Sequence, residues 1–257
     1  MSIRPALVIA AQTFTEARRN RIFYSLFLFA LVVILNSVIF TEVTIVTMDR
    51  MLKDTGIAAI NVFALALTVF VGVGVINREV DRRSIYTVVT KPIGRHHFIV
   101  GKYLGLLAII ITTSGAMLVG LLITMVGYKI PITAPVFIGW AGILLEACVL
   151  GAFAVLCSSF TNSIVSAFMT VAIFVSGHLS GELLLAARKT QDATAEAIGS
   201  AIYYLVPNLD RFNFKYYVTY DLLVPGQKVM SSALYAGAYV AAFLLASVAV
   251  FSRRDFR

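Results

Sequence analysis

The 257-residue chain is 60% hydrophobic and only 13% charged, more apolar surface than a water-soluble domain of this size can bury, so the bilayer must solvate most of it. Its net charge of +8 does not mark a nucleic-acid binder, because the basic residues fall in short stretches between apolar runs. Cys148 and Cys157 lie on one apolar run; about 13.5 Å of helical rise separates them, which excludes a bridge between them and leaves them as packing residues.

Residues 2–20 predict an amphipathic helix lying at the membrane interface. Ser2 can cap it and Pro5 fits its first turn, while Ile3, Leu7, Ala10 or Ala11, and Phe14 recur at helical spacing. Crossing the bilayer takes about 20 apolar residues as helix, and six runs qualify: 22–40, 56–76, 103–127, 136–157, 163–185 and 233–251. They are continuous rather than alternating, which selects helices over a barrel. The first is too long for a signal-peptide core and no small-x-small site ends it, so it reads as a span. The predicted fold is therefore an all-α integral membrane protein, one domain over residues 1–257 with six transmembrane helices.

Between the spans lie a short outer loop at 41–55, a basic segment at 77–102, a turn built on Pro131 and Pro135, and a brief link from Ser158 to Asn162. A long outer segment, 186–232, precedes the last span. Within it Ala195, Ile198, Ile202 and Leu205 predict a short helix resting on the membrane and stopped by Pro207. Tyr203, Tyr204, Tyr216, Tyr217 and Tyr220 suit an interface. The stretch Pro207-Asn208-Leu209-Asp210-Arg211-Phe212 reads as a capped outer turn.

Six spans place both termini on one face, which also holds the 77–102 segment. That face carries thirteen of the Lys and Arg residues against eight on the other, and five of those eight sit in the one long segment. The positive-inside rule then puts both termini in the cytoplasm.

Three acidic or histidine side chains interrupt the spans. Glu146 lies near the middle of the fourth, where an ionised carboxylate is costly, so it must face protein or a water-filled path or be protonated. It is either a pathway group or a buried structural hydrogen bond. His178 and Glu182 are four apart and share a helix face. They read as a polar pair lining the outer half of the bundle; a metal site would need a third ligand, and the spans offer none. No metal or catalytic residue is predicted. Gly101 with Gly105, and Gly177 with Gly181, have the small-xxx-small spacing of close helix packing.

The basic segment carries the most specific signal. Pro92 cannot continue a helix and biases Lys91 away from helical geometry, so two short pieces should meet at a bend. The first sets Ile85, Val88 and Val89 on one side and Arg82, Arg83 and Tyr86 around the rest. In the order Glu79, Val88-Val89, Pro92, Arg95 and Gly101-Lys102, the segment resembles the first cytoplasmic loop of ABC-2 type transporter permeases. The branch annotated for multicopper-enzyme maturation is the nearest in flavour. The basic N-terminus, six spans, long outer segment and terminal Arg253-Arg254-Asp255-Phe256 are similar in layout. Arg82-Arg83-Ser84 stands where many relatives have Gly-Thr.

The resemblance implies a coupling helix, with Glu79, Arg82, Arg83, Val88, Val89, Pro92 and Arg95 docking on a separate ABC ATPase subunit that holds ATP and Mg. The chain itself has no phosphate-binding loop: before Gly101-Lys102, His96 occupies the place of the first glycine, and Tyr103 that of the hydroxyl. No cofactor is expected in this chain. The resemblance further implies a second permease copy, most simply a homodimer, in the lipid of a prokaryotic inner membrane, and export of an unidentified substrate. The alternative is a force relay to an outer protein docked on 186–232, without transport. An intramembrane enzyme using Glu146, His178 and Glu182 is the least favoured reading.

Overall fold

The computed structural model describes residues 4–18, 28, 48–81, 95–190 and 193–253. Nearly all are helical: α1 (Arg4–Arg18), α2 (Met48–Asp81), α3 (Arg95–Gly127), α4 (Ala134–Phe160), α5 (Ser163–Lys189), α6 (Ala193–Leu205), a 3-10 turn at Leu209–Phe212, α7 (Lys215–Thr219) and α8 (Gly226–Arg253). Five of the described helices, α2 to α5 and α8, are long and apolar enough to cross a membrane. The run 22–40 lies outside the described residues apart from Leu28, and helices of crossing length stand at the other five expected spans.

The spans are longer than the apolar runs that announce them. The loop expected at 41–55 is helical from Met48 onward, because α2 extends to carry polar contacts at its first turns, described below. Arg95, His96 and His97 already belong to α3. Pro135 sits in the first turn of α4, where its missing N–H costs nothing. Asn162 caps α5 by accepting the Val165 N–H at 2.9 Å.

α4 is the hub, packing against α2, α3, α5 and α8. It is buried on most sides and rich in small residues there, including Gly139, Gly142, Ala147, Gly151 and Ala154, which let neighbouring helices approach closely. Many buried hydroxyls are satisfied within their own helix: Thr68, Thr113, Ser114 and Thr170 each donate to the carbonyl four residues back, at 2.6–2.7 Å. Other bonds pass between spans. Ser158 donates to the Val73 carbonyl of α2 at 3.0 Å, Tyr103 of α3 to the Cys148 carbonyl at 3.1 Å, and Trp140 to Ser114 of α3 at 3.2 Å. α8 meets α4 through apolar contacts such as the edge-on Phe153–Phe243 pair.

α1 lies along the first half of α3. Ala6, Ile9 and Thr13 are buried there, and Leu7 and Val8 face outward. Gly101 and Gly105 make the groove: a Cβ on Gly101 would stand 2.7 Å from the Ala6 carbonyl oxygen, and one on Gly105 2.6 Å from Thr13 Cβ. The small-xxx-small pair thus receives the N-terminal helix. Gly101→Leu is expected to dislodge α1, so that hydrogen exchange at residues 6–13 rises above that of the wild-type chain. Equal exchange in the two chains would show that α1 is not held in this groove.

Candidate functional site

Residues 207–221 fold back into the distal end of the bundle, opposite the end where Phe98 of α3 stacks on Phe251 of α8. The capped turn expected at Pro207–Phe212 is instead a buried wedge: Leu209, Phe212, Phe214 and Val218 are all shielded from solvent. Two glycines make room for it. A Cβ on Gly177 of α5 would lie 2.7 Å from the Pro207 carbonyl oxygen and 2.8 Å from Leu209 Cγ, and one on Gly142 of α4 would collide with the Phe212 carbonyl and the Phe214 ring. Gly181, one turn further along α5, has open space in front of it.

The wedge is pinned on both flanks. Towards α8, the Tyr235 hydroxyl accepts the Asn208 N–H at 2.8 Å and Ser232 donates to the Arg211 carbonyl at 3.1 Å. The Arg211 guanidinium stacks 4.8 Å from the Tyr235 ring centroid. Towards α2, the fully buried Lys53 pairs with Asp221, and Lys215 lies 3.2 Å from Asp54. Thr133 donates to Asp221 at 2.6 Å and Thr219 to Asp54 at 3.1 Å. Asp221 sits at φ 51, a left-handed conformation that Asp and Asn tolerate better than most residues. Burial pushes its carboxyl up, but the hydrogen bonds from Lys53 and Thr133 and the charges of Lys53 and Arg50 outweigh this and hold it below the usual carboxylate range.

Beneath the wedge is a cavity of about 250 Å³. α2 contributes Ile57, Ala58 and Asn61 to its wall, α4 Ile143 and Glu146, and α5 His178. Phe212 and Phe214 of the wedge close it. Glu146 is only 4% exposed. Asn61 lines the same cavity, yet Oε1 has no hydrogen-bond partner among the described residues. His178 Nε2 stands 3.6 Å from that same oxygen.

The sequence paired His178 with Glu182; in the fold, α5 turns His178 toward Glu146 on α4 and leaves Glu182 exposed, off the cavity wall. Among the described residues no three His, Cys, Asp or Glu side chains gather as a metal site would require. Of the residues expected to couple to an ATPase, Glu79 falls near the end of α2 and Arg95 opens α3, whereas Arg82, Arg83, Val88, Val89 and Pro92 lie outside the described residues. Asn61 was legible as a lone amide in an apolar run. Lys53 and Asp221 are far apart in sequence and give no joint signal.

The profile of a family described as "ABC-2 family transporter protein" matches residues 32–256. No curated protein matches the chain.

Proposed function

The chain belongs to the ABC-2 family of transporter proteins, and on that footing we propose that it is the membrane-spanning permease subunit of an ABC transporter. Its ATPase is a separate subunit, and the two act on a substrate carried outward. The observation that supports this most directly is the course of α2. The helix that gives Asn61 and Ile57 to the distal cavity ends at Asp81, next to the Arg82–Arg95 segment. The cavity and the ATPase-facing segment are thus joined by one element, as a machine driven from the cytoplasm requires. In this reading Leu28 belongs to a sixth span, both termini are cytoplasmic, and two copies form the working permease in a prokaryotic inner membrane. Glu79, Val88, Val89, Pro92 and the arginines 82, 83 and 95 seat on the ATPase, which binds ATP and Mg.

The double reversal Arg83→Glu with Arg95→Glu tests this. Co-purification with the ATPase, or stimulation of its ATP hydrolysis by the permease, is expected to fall by about tenfold or more, as loss of two interfacial charge contacts would give. Wild-type capture and stimulation would overturn the proposal.

A force relay without transport is the second reading. Leu223, 85% exposed, with Leu222, Tyr216 and Tyr220 beside it, gives the distal surface an apolar patch on which an outer protein can sit. Substituting Leu222 and Leu223 with serine separates the two: a relay loses its bound outer protein, and a transporter keeps its flux.

A further inference from the structure

The polar end of the cavity is short of one hydrogen-bond donor, and the shortage has a definite shape. His178 Nδ1 lies 3.1 Å from the Phe174 carbonyl oxygen. A carbonyl only accepts, so Nδ1 carries the proton, and in the neutral ring Nε2 presents a lone pair. That lone pair faces Glu146 Oε1, itself an acceptor without a partner, across 3.6 Å. With the carboxyl ionised and the ring neutral, two acceptors confront each other in a buried place, and a donor that carries positive charge answers both.

The rest of the cavity narrows what can supply it. Phe212 and Phe214 form the roof, and Ile57, Ala58 and Ile143 the walls. A divalent cation would want four or more oxygen, nitrogen or sulfur ligands; besides Glu146 and His178 the lining offers only the neutral amides of Asn61 and Asn213, and the cationic Lys215 lines it too. A quaternary ammonium carries positive charge but no N–H. A primary ammonium has three donors and enough charge to answer the carboxylate, and the aromatic roof favours a cation carried on an apolar body. The rim is open beside Val62, which is 61% exposed on α2, so a chain attached to the ammonium can leave sideways.

We infer that this cavity is a binding site for a primary ammonium group on an apolar body, held between Glu146 Oε1 and His178 Nε2 under Phe212 and Phe214. An aminolipid headgroup and a free hydrophobic amine share that chemistry. The binding stands on the cavity alone; that its occupant is the cargo rests on the permease reading.

The test uses the full chain in phosphatidylcholine nanodiscs with radiolabelled phenethylamine, and in parallel native mass spectrometry of discs doped with phosphatidylethanolamine. Wild-type protein should bind one of the two saturably, and Glu146→Gln should weaken that binding by about tenfold or more, the effect of losing a buried counter-charge. Ala58→Leu, which fills the cavity without touching a charge, should do the same and decides the matter if Glu146→Gln fails to fold. Glu196→Gln, on an exposed glutamate of α6, should bind as wild type. Retention of phosphatidylethanolamine with displacement of phenethylamine identifies the lipid headgroup as the ligand; phenethylamine binding undisturbed by that lipid identifies a free amine. If neither probe is held more tightly by the wild type than by Glu146→Gln and Ala58→Leu, the inference is overturned. Glu146-dependent binding in a chain that captures no ATPase would keep the cavity and remove the permease reading.

Discussion

Asp221→Ala is expected to destabilise the distal end by about 3–5 kcal/mol, the cost of leaving a buried cation without its partner. Lys53 is fully buried and Asp221 is its counter-ion, so the alanine variant strands a charge that water cannot reach. Alanine also tolerates the left-handed φ of 51 poorly. Asp221→Asn separates these two causes, because asparagine keeps the backbone preference and removes only the charge. The ordering wild type, then asparagine, then alanine in thermal unfolding in detergent is the expected result. The pair Lys53→Met with Asp221→Asn should recover part of the loss, since it removes the orphaned ammonium. No recovery would mean that the two residues are not coupled. The pH dependence has one sign. The folded carboxyl titrates below its unfolded value, so its contribution is fully present above about pH 4. It is lost as the pH falls through the lower folded value, because the unfolded state then binds the proton more readily. A clamp weakened instead by raising the pH from 5 to 8 would contradict this assignment.

Gly177→Leu is expected to cost about 1–3 kcal/mol, the usual penalty of overpacking, and to raise hydrogen exchange at residues 208–218. Gly181→Leu, on the same helix one turn away, should change stability by no more than about 0.5 kcal/mol, as an open position allows. The difference follows from what stands opposite each glycine: the Pro207 carbonyl and Leu209 at the first, open space at the second. If both leucines destabilise equally, the pair serves helix pairing and not the wedge. If neither does, the wedge is not seated as described.

These two glycines show where the sequence was and was not readable. Spacing alone marks 177 and 181 as a helix-packing pair, but the notch at 177 takes a loop, and nothing in the local pattern distinguishes a loop from a helix. The spans themselves were legible because lipid enforces long apolar runs, and their ends were not, because α2 and α3 continue as polar helix beyond the apolar limit. Glu146 was conspicuous for a carboxylate in an apolar run. Its neighbours depended on the rotation of α5 about its own axis, whereas spacing pairs His178 only with Glu182 on its own helix. The wedge left only a faint trace, two phenylalanines at 212 and 214 among polar residues, because its burial is decided by glycines on other helices.

The distribution of hydrogen bonds divides the molecule mechanically. The bonds from Ser158, Tyr103 and Trp140 rivet α4 to α2 and α3, making a stiff frame. α8 meets that frame through apolar contacts that include the Phe153–Phe243 pair. Asn208 and Arg211 are bonded to α8 while Leu209 fills the notch at Gly177 of α5, and Lys215 and Asp221 are tied to α2. Phe212 and Phe214 therefore hang between anchors on α2, α5 and α8, so a shift of any one of these helices would reshape the ceiling directly above Glu146.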